Sequence, residues 1–99
     1  MTTSQDINHY HALEGRYDAL RASELDQQLQ QLLDTGADTI VLDLGDVTYV
    51  SSSALRVLLL AHRQASDEGS ELVLTNIPQR VMRVLRMAGL DRVFGIRTV

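Results

Sequence analysis

Three stretches of the chain repeat apolar residues at intervals of three and four, the spacing that gathers them on one face of a helix. In the first, Ala22, Leu25, Leu29, Leu32 and Leu33 share a face; Gly36 follows where a left-handed C-terminal cap sits, and Asp18 or Ser23 can cap the start. The second runs from about Ser52 to Glu68 and closes with Gly69. Its stripe of Leu55, Leu58, Leu59 and His62 is widened by Val57, Leu60 and Ala61, which predicts a largely buried helix whose remaining polar face carries Arg56 and Arg63. The third begins near Pro78 and ends before Gly89, turning Val81, Val84, Leu85 and Ala88 inward and Arg80, Arg83 and, less closely aligned, Arg86 outward.

Between the helices lie short runs of β-favouring residues. Thr39 to Leu44 (TIVLDL) and Glu71 to Thr75 (ELVLT) each separate two helices, so their natural pairing is parallel. Asn8 to Glu14 is a weaker strand, and Phe94 to Val99 supplies a short final one. Strands alternating with helices predict an α/β domain with right-handed crossovers. Ninety-nine residues suit one domain spanning residues 1–99.

Composition narrows the chemistry. The chain has no cysteine, which removes disulfides, thiolate redox chemistry and Cys-based zinc sites and leaves a hydroxyl as the candidate nucleophile. Its apolar runs fall far short of the ~20 residues that cross a bilayer, and the start, MTTSQDINHYHALEG, lacks the pattern of a secretion signal. A cytoplasmic protein without membrane insertion is expected. The net charge of -4 argues against a nucleic-acid binder, but it is unevenly spread. Met1 to Val50 hold nine acidic residues against Arg16 and Arg21, whereas Ser51 to Val99 hold seven arginines against four acids. Those arginines are either a solvated helix surface or a docking surface for a protein partner.

The candidate site is TYVSSSALRVLLL, Thr48 to Leu60, where three consecutive serines open the central helix. Helix amino ends and strand carboxyl ends meet at the working edge of open α/β sheets. With Ser51 as N-cap, its oxygen accepts from the backbone N–H of Ser53 or Ala54, a bond worth ~1 kcal/mol, and Ser52 is left at the first helical position with its hydroxyl free. That hydroxyl is open to four readings: catalytic nucleophile, phosphate ligand, phosphorylation site, or simply a good first-turn residue.

GRYDA at Gly15 to Ala19, IVLDLGDVTYVSSSALRVLL at Ile40 to Leu59 and LVLTNIPQRVMRVLRMAGLDRVF at Leu72 to Phe94 together resemble the STAS domain, the family of anti-sigma factor antagonists and sulphate-transporter C-terminal domains. The resemblance covers about Ala12 to Phe94, in order and spacing. It implies a STAS-like mixed sheet of four to five strands with helices mainly on one side. In the stand-alone bacterial type it further implies a non-enzymatic switch without cofactor or metal, monomeric or weakly dimeric. Unphosphorylated, such a domain binds a serine-kinase anti-sigma factor of the histidine-kinase-like ATPase fold. The kinase phosphorylates the helix-start serine, here Ser52, and lets go; a serine phosphatase restores binding. The family's Asp-Ser-Ser/Thr-Gly pattern falls on Ser51, Ser52, Ser53 and Ala54, so this chain lacks the acidic residue and the glycine. Ser51, Ser53, Arg56, Asp18 of the G-x-x-D element and Asp46 in the connection before the serines are the expected partner contacts. Asp18 and Asp46 also have ordinary readings as cap or turn residues.

Two rival functions follow. One is a STAS subunit that is never phosphorylated and regulates an ABC-transporter ATPase, keeping the helix-start hydroxyl as a direct contact. The other is an enzyme with Ser52 as nucleophile, which is disfavoured because no base or metal accompanies it. His62 reads as a core or boundary residue almost three helical turns from Ser52. His9 and His11, alternating on a weak strand, make a poor metal site. Met82 and Met87 read as packing residues, with an adaptable partner contact as the alternative.

Overall fold

The computed structural model describes residues 8–97. Four strands alternate with three helices: β1 (Asn8–Tyr17), α1 (Ala19–Asp34), β2 (Thr39–Val50), α2 (Ser52–Asp67), β3 (Glu71–Thr75), α3 (Gln79–Met87) and β4 (Gly95–Arg97). The sheet order is β1-β2-β3-β4, and each of its three ladders is parallel. The described part of the expected mixed sheet is parallel throughout: among the described residues no antiparallel pair occurs. Each of β1, β2 and β3 is followed by a helix that returns the chain to the end where the strand began, and that connection forces parallel pairing. Residues 1–7, where a preceding strand of the expected sheet would lie, and the end of the final expected strand, Thr98 and Val99, are outside the described residues.

The helices cover one face of the sheet. Ile40, Leu42 and Leu44 of β2 and Leu72 and Leu74 of β3 alternate onto that face and join one buried cluster with Leu25, Leu29 and Leu33 of α1, Leu55 and Leu58 of α2, and Val81 and Leu85 of α3. Val41 and Val73, on the opposite side of the same strands, are buried as well, which makes β2 and β3 the nearly continuous apolar runs typical of parallel sheets.

The helix ends match the chemistry of their residues. Asp18 caps α1 in extended conformation, its Oδ1 accepting from the Arg21 backbone N–H at 3.0 Å, so Asp18 and not Ser23 is the cap. After α1 the chain reverses at Gly36 with φ of 75°, a left-handed position that a side chain would strain. Pro78 stands as N-cap of α3, one residue before its first turn.

Several side chains depart from the expected faces. α2 buries Ala54, Ala61 and Ala65 beside Leu55 and Leu58, so its buried arc is extended by alanines, whose small size lets the helix lie close to its neighbours, and Leu60 on the far side is half exposed. In α3 only Val81 and Leu85 are buried; Val84, Met87 and Ala88 are exposed. The buried face of this short helix is centred towards Met82, which packs on the core, leaving Val84 on the flank and Ala88 beyond the last turn. Met87 is therefore not a packing residue. Arg80, Arg83 and Arg86 face outward as expected.

β2 is twice the expected length. Its second half, Gly45 to Val50, takes in the expected connection before the serines and pairs with β1 as far as the partners Tyr17 and Val50. The Gly45 N–H donates to Asp43 Oδ1 at 2.8 Å, and at two register shifts, opposite Ala12/Glu14 and Gly15/Arg16, β2 takes up one extra residue without ending the ladder.

Candidate functional site

The carboxyl ends of β1 and β2 lie side by side, with Tyr17 opposite Val50 and both buried. One residue later each chain enters a helix, through Asp18 into α1 and through Ser51 into α2. The Ser51 N–H donates to the Tyr17 carbonyl at 2.8 Å, which ties the two helix starts together.

The three serines divide their work. Ser51 is the N-cap: it is extended, 9% exposed, and its Oγ accepts from the Ala54 N–H at 3.1 Å while its carbonyl accepts from Leu55 at 2.9 Å. Ser52 and Ser53 open the helix exposed, and neither side chain has a hydrogen bond among the described residues. Ser52 Oγ thus stands free where the unpaired N–H groups of the first turn give the helix end a partial positive charge. Arg56, one turn further on, is exposed.

Of the other expected contacts, Asp18 is brought to this edge and Asp46 is not. Asp18 is half-buried and already engaged as a cap, leaving its second carboxylate oxygen open. Asp46 is exposed within β2 opposite Glu14, not in a connection. Five residues of strand at ~3.3 Å each put it roughly 16 Å from Ser51. His62 sits about 15 Å along α2 from Ser52, at 1.5 Å per residue, half-buried with its ring edge-on to Phe94 at 5.4 Å between centroids. It is a boundary residue, as the apolar stripe implies.

A neighbouring feature was not legible as part of the site. Arg21 reaches back from α1 to donate from Nη1 to the carbonyls of Glu14 at 2.9 Å and Arg16 at 3.1 Å, lies 4.1 Å from the centroid of the Tyr17 ring, and pairs with Glu24 at 3.6 Å. It thereby braces the backbone around Gly15, whose φ of 81° is again left-handed and which stands at the second register shift. Because Tyr17 also receives the Ser51 N–H, this brace orders the backbone on which α2 begins. Arg16 similarly covers the ring of Tyr49 at 4.4 Å. The signal available beforehand was Gly15 directly after the expected strand, the residue type that takes a left-handed φ without strain.

A free hydroxyl on an exposed helix start, carried by a parallel α/β sheet, fits a class of small binding domains addressed through that edge. The chain belongs to the STAS domain family: the family model described as Mlab, STAS domain, matches residues 4–98. BtrV of Bordetella bronchiseptica, ascribed to the anti-sigma factor antagonists, is 34% identical over 84 residues, 85% of this chain and 72% of that one. An anti-sigma-B factor antagonist of Bacillus subtilis is 30% identical over 82 residues, 83% of this chain and 74% of that one. The fold is that of the anti-sigma factor antagonist SpoIIAA in its unphosphorylated form, with a TM-score of 0.80 at 15% identity over 99% of this chain and 84% of that one. SpoIIAA in its phosphorylated form matches with a TM-score of 0.73 at 15% identity, over 99% and 87% of the two chains. No described helix is long and apolar enough to cross a membrane.

Proposed function

We propose that this protein is an anti-sigma factor antagonist that works as a phosphorylation-controlled binding module, with Ser52 as the switch. The unmodified domain docks a serine-kinase anti-sigma factor of the histidine-kinase-like ATPase fold through the edge formed by Asp18, Ser51, Ser52, Ser53 and Arg56. The kinase supplies the ATP: Ser52 Oγ bonds to the γ-phosphorus, the bond to ADP breaks, and the serine proton passes to a base of the kinase. A serine phosphatase reverses the step by hydrolysis. Asp46, exposed roughly 16 Å away along β2, stands at the margin of that edge.

The observation that carries this reading is the free, exposed Ser52 hydroxyl beside a serine that already does the capping. Chemistry at Ser52 therefore leaves the helix cap intact. Support also comes from the anti-sigma factor antagonists among its relatives and from SpoIIAA, which keeps its fold in both phosphorylation states. A phosphate adds about 1.5 to 2 negative charges, of which the helix end offsets ~0.3–1 kcal/mol. Buried against a partner with no matching cation, the same dianion costs several kcal/mol. A loss of ~3 kcal/mol weakens binding more than a hundredfold.

Calorimetry against the cognate kinase tests the switch. Ser52→Ala binds like wild type and takes up no phosphate, whereas Ser52→Asp loses the partner; equal binding by all three removes the proposal. Intact mass spectrometry of protein from its host, with phosphate localised to Ser52, is the companion measurement. The absence of an acid at Ser51 favours a second reading, an unphosphorylated subunit contacting a transporter ATPase. Permease and ATPase genes beside its own, and no phosphate on Ser52, distinguish it.

A further inference from the structure

Resting on the reading of Ser52 as the acceptor, we infer that Arg56 is the intramolecular counter-ion of the Ser52 phosphate, and that phosphorylation withdraws Arg56 from the docking edge. Ser52 and Arg56 stand four apart on α2, and both are exposed. Residues at this spacing are surface neighbours, and side chains on a helix lean towards its amino end, so the arginine is placed to reach the turn that carries Ser52. The order is also the favourable one, with the anion amino-terminal to the cation and next to the positive end of the helix.

Arg56 is available for this role. It has no hydrogen bond or ion pair among the described residues, in contrast to Arg21, which is engaged by two carbonyls and Glu24. Its helical neighbours at three and four residues are Ser52, Ser53, Leu59 and Leu60, and the first turn of α2 contains no acid. A phosphate on the serines is the one anion α2 can offer it within reach. From the start of α1, Asp18 adds a negative group, while Arg21 is committed to two carbonyls and Glu24 and Arg16 lies on the Tyr49 ring, so Arg56 is the unengaged cation on the helix that carries Ser52.

The consequence is a double change at one modification. The hydroxyl becomes a phosphate, and the guanidinium that was free to meet an acidic or carbonyl group of the partner is folded back onto its own helix. The charge added to the domain is thereby partly neutralised in place, and the partner loses two points of attachment at once.

The test uses the full chain with phosphoserine installed at position 52 during translation, so it does not depend on any kinase. The second ionisation of the phosphate is followed by phosphorus NMR in wild type, Arg56→Gln and Arg56→Lys. Removing the guanidinium is expected to raise that midpoint by about 0.5 pH unit, with lysine restoring part of the difference and salt shrinking it. Midpoints that agree within about 0.1 unit overturn the inference. Thermal unfolding supplies a second reading: Arg56→Gln lowers the melting temperature of the phosphorylated form more than that of the unmodified form, and equal effects count against the pairing. If Ser52 is never phosphorylated in the host, the proposed function fails while this measurement still reports on Arg56.

Discussion

Replacing Ser51 by alanine tests the division of labour among the serines most directly. The substitution removes the acceptor for the Ala54 N–H and leaves the rest of the backbone path intact. Losing an N-cap costs ~1 kcal/mol at a typical helix. Here the orphaned donor belongs to Ala54, which is 0% exposed, so water cannot replace the lost oxygen, and an unsatisfied buried group costs ~1–3 kcal/mol. The two figures overlap, and the expected loss is about 2 kcal/mol, a large part of the ~5–15 kcal/mol that holds a domain of this size together. Ser52→Ala, one residue away, removes an exposed hydroxyl with no partner and is expected to stay within ~0.5 kcal/mol of wild type. Urea unfolding followed by circular dichroism reads both. The midpoint of Ser51→Ala falls by roughly 1–2 M at unchanged slope, and its melting temperature by roughly 8–16 °C. Equal losses at the two positions, or a loss under ~0.5 kcal/mol at Ser51, would refute the assignment of cap and free hydroxyl.

Two further substitutions probe the frame around the site. Gly15→Ala places a β-carbon at a φ of 81° and 3.3 Å from Arg21 Nη1, and is expected to cost about 1–2 kcal/mol in the same unfolding assay; a neutral result means this left-handed position does not require glycine. Val81→Ala, in the core, is expected to cost about 2 kcal/mol, whereas Val84→Ala, 38% exposed, stays within ~0.5 kcal/mol. The reverse ranking would show that α3 packs with the other face inward.

The three helices, the two inner strands and the cap at Ser51 were legible because each is a local event. Periodicity places a helix, and a serine or aspartate at its start finds its backbone partner three residues away, as Asp18 and Ser51 both do. The free hydroxyl of Ser52 followed from the same arithmetic. Leu60 and Val84 misled because an apolar residue at a plausible helical position carries no record of which neighbour lies against it.

What the chain order alone could not convey are the features that depend on strands meeting. β2 runs on through Gly45 and Asp46 because β1 offers a ladder there, and that extension is what carries Asp46 away from the serines. The bond from Ser51 to Tyr17 joins residues that only the parallel register of β1 and β2 brings to one edge. Local propensity is settled within a few bonds of each residue; a sheet edge is settled by partners more than thirty positions apart, and the docking surface is made there.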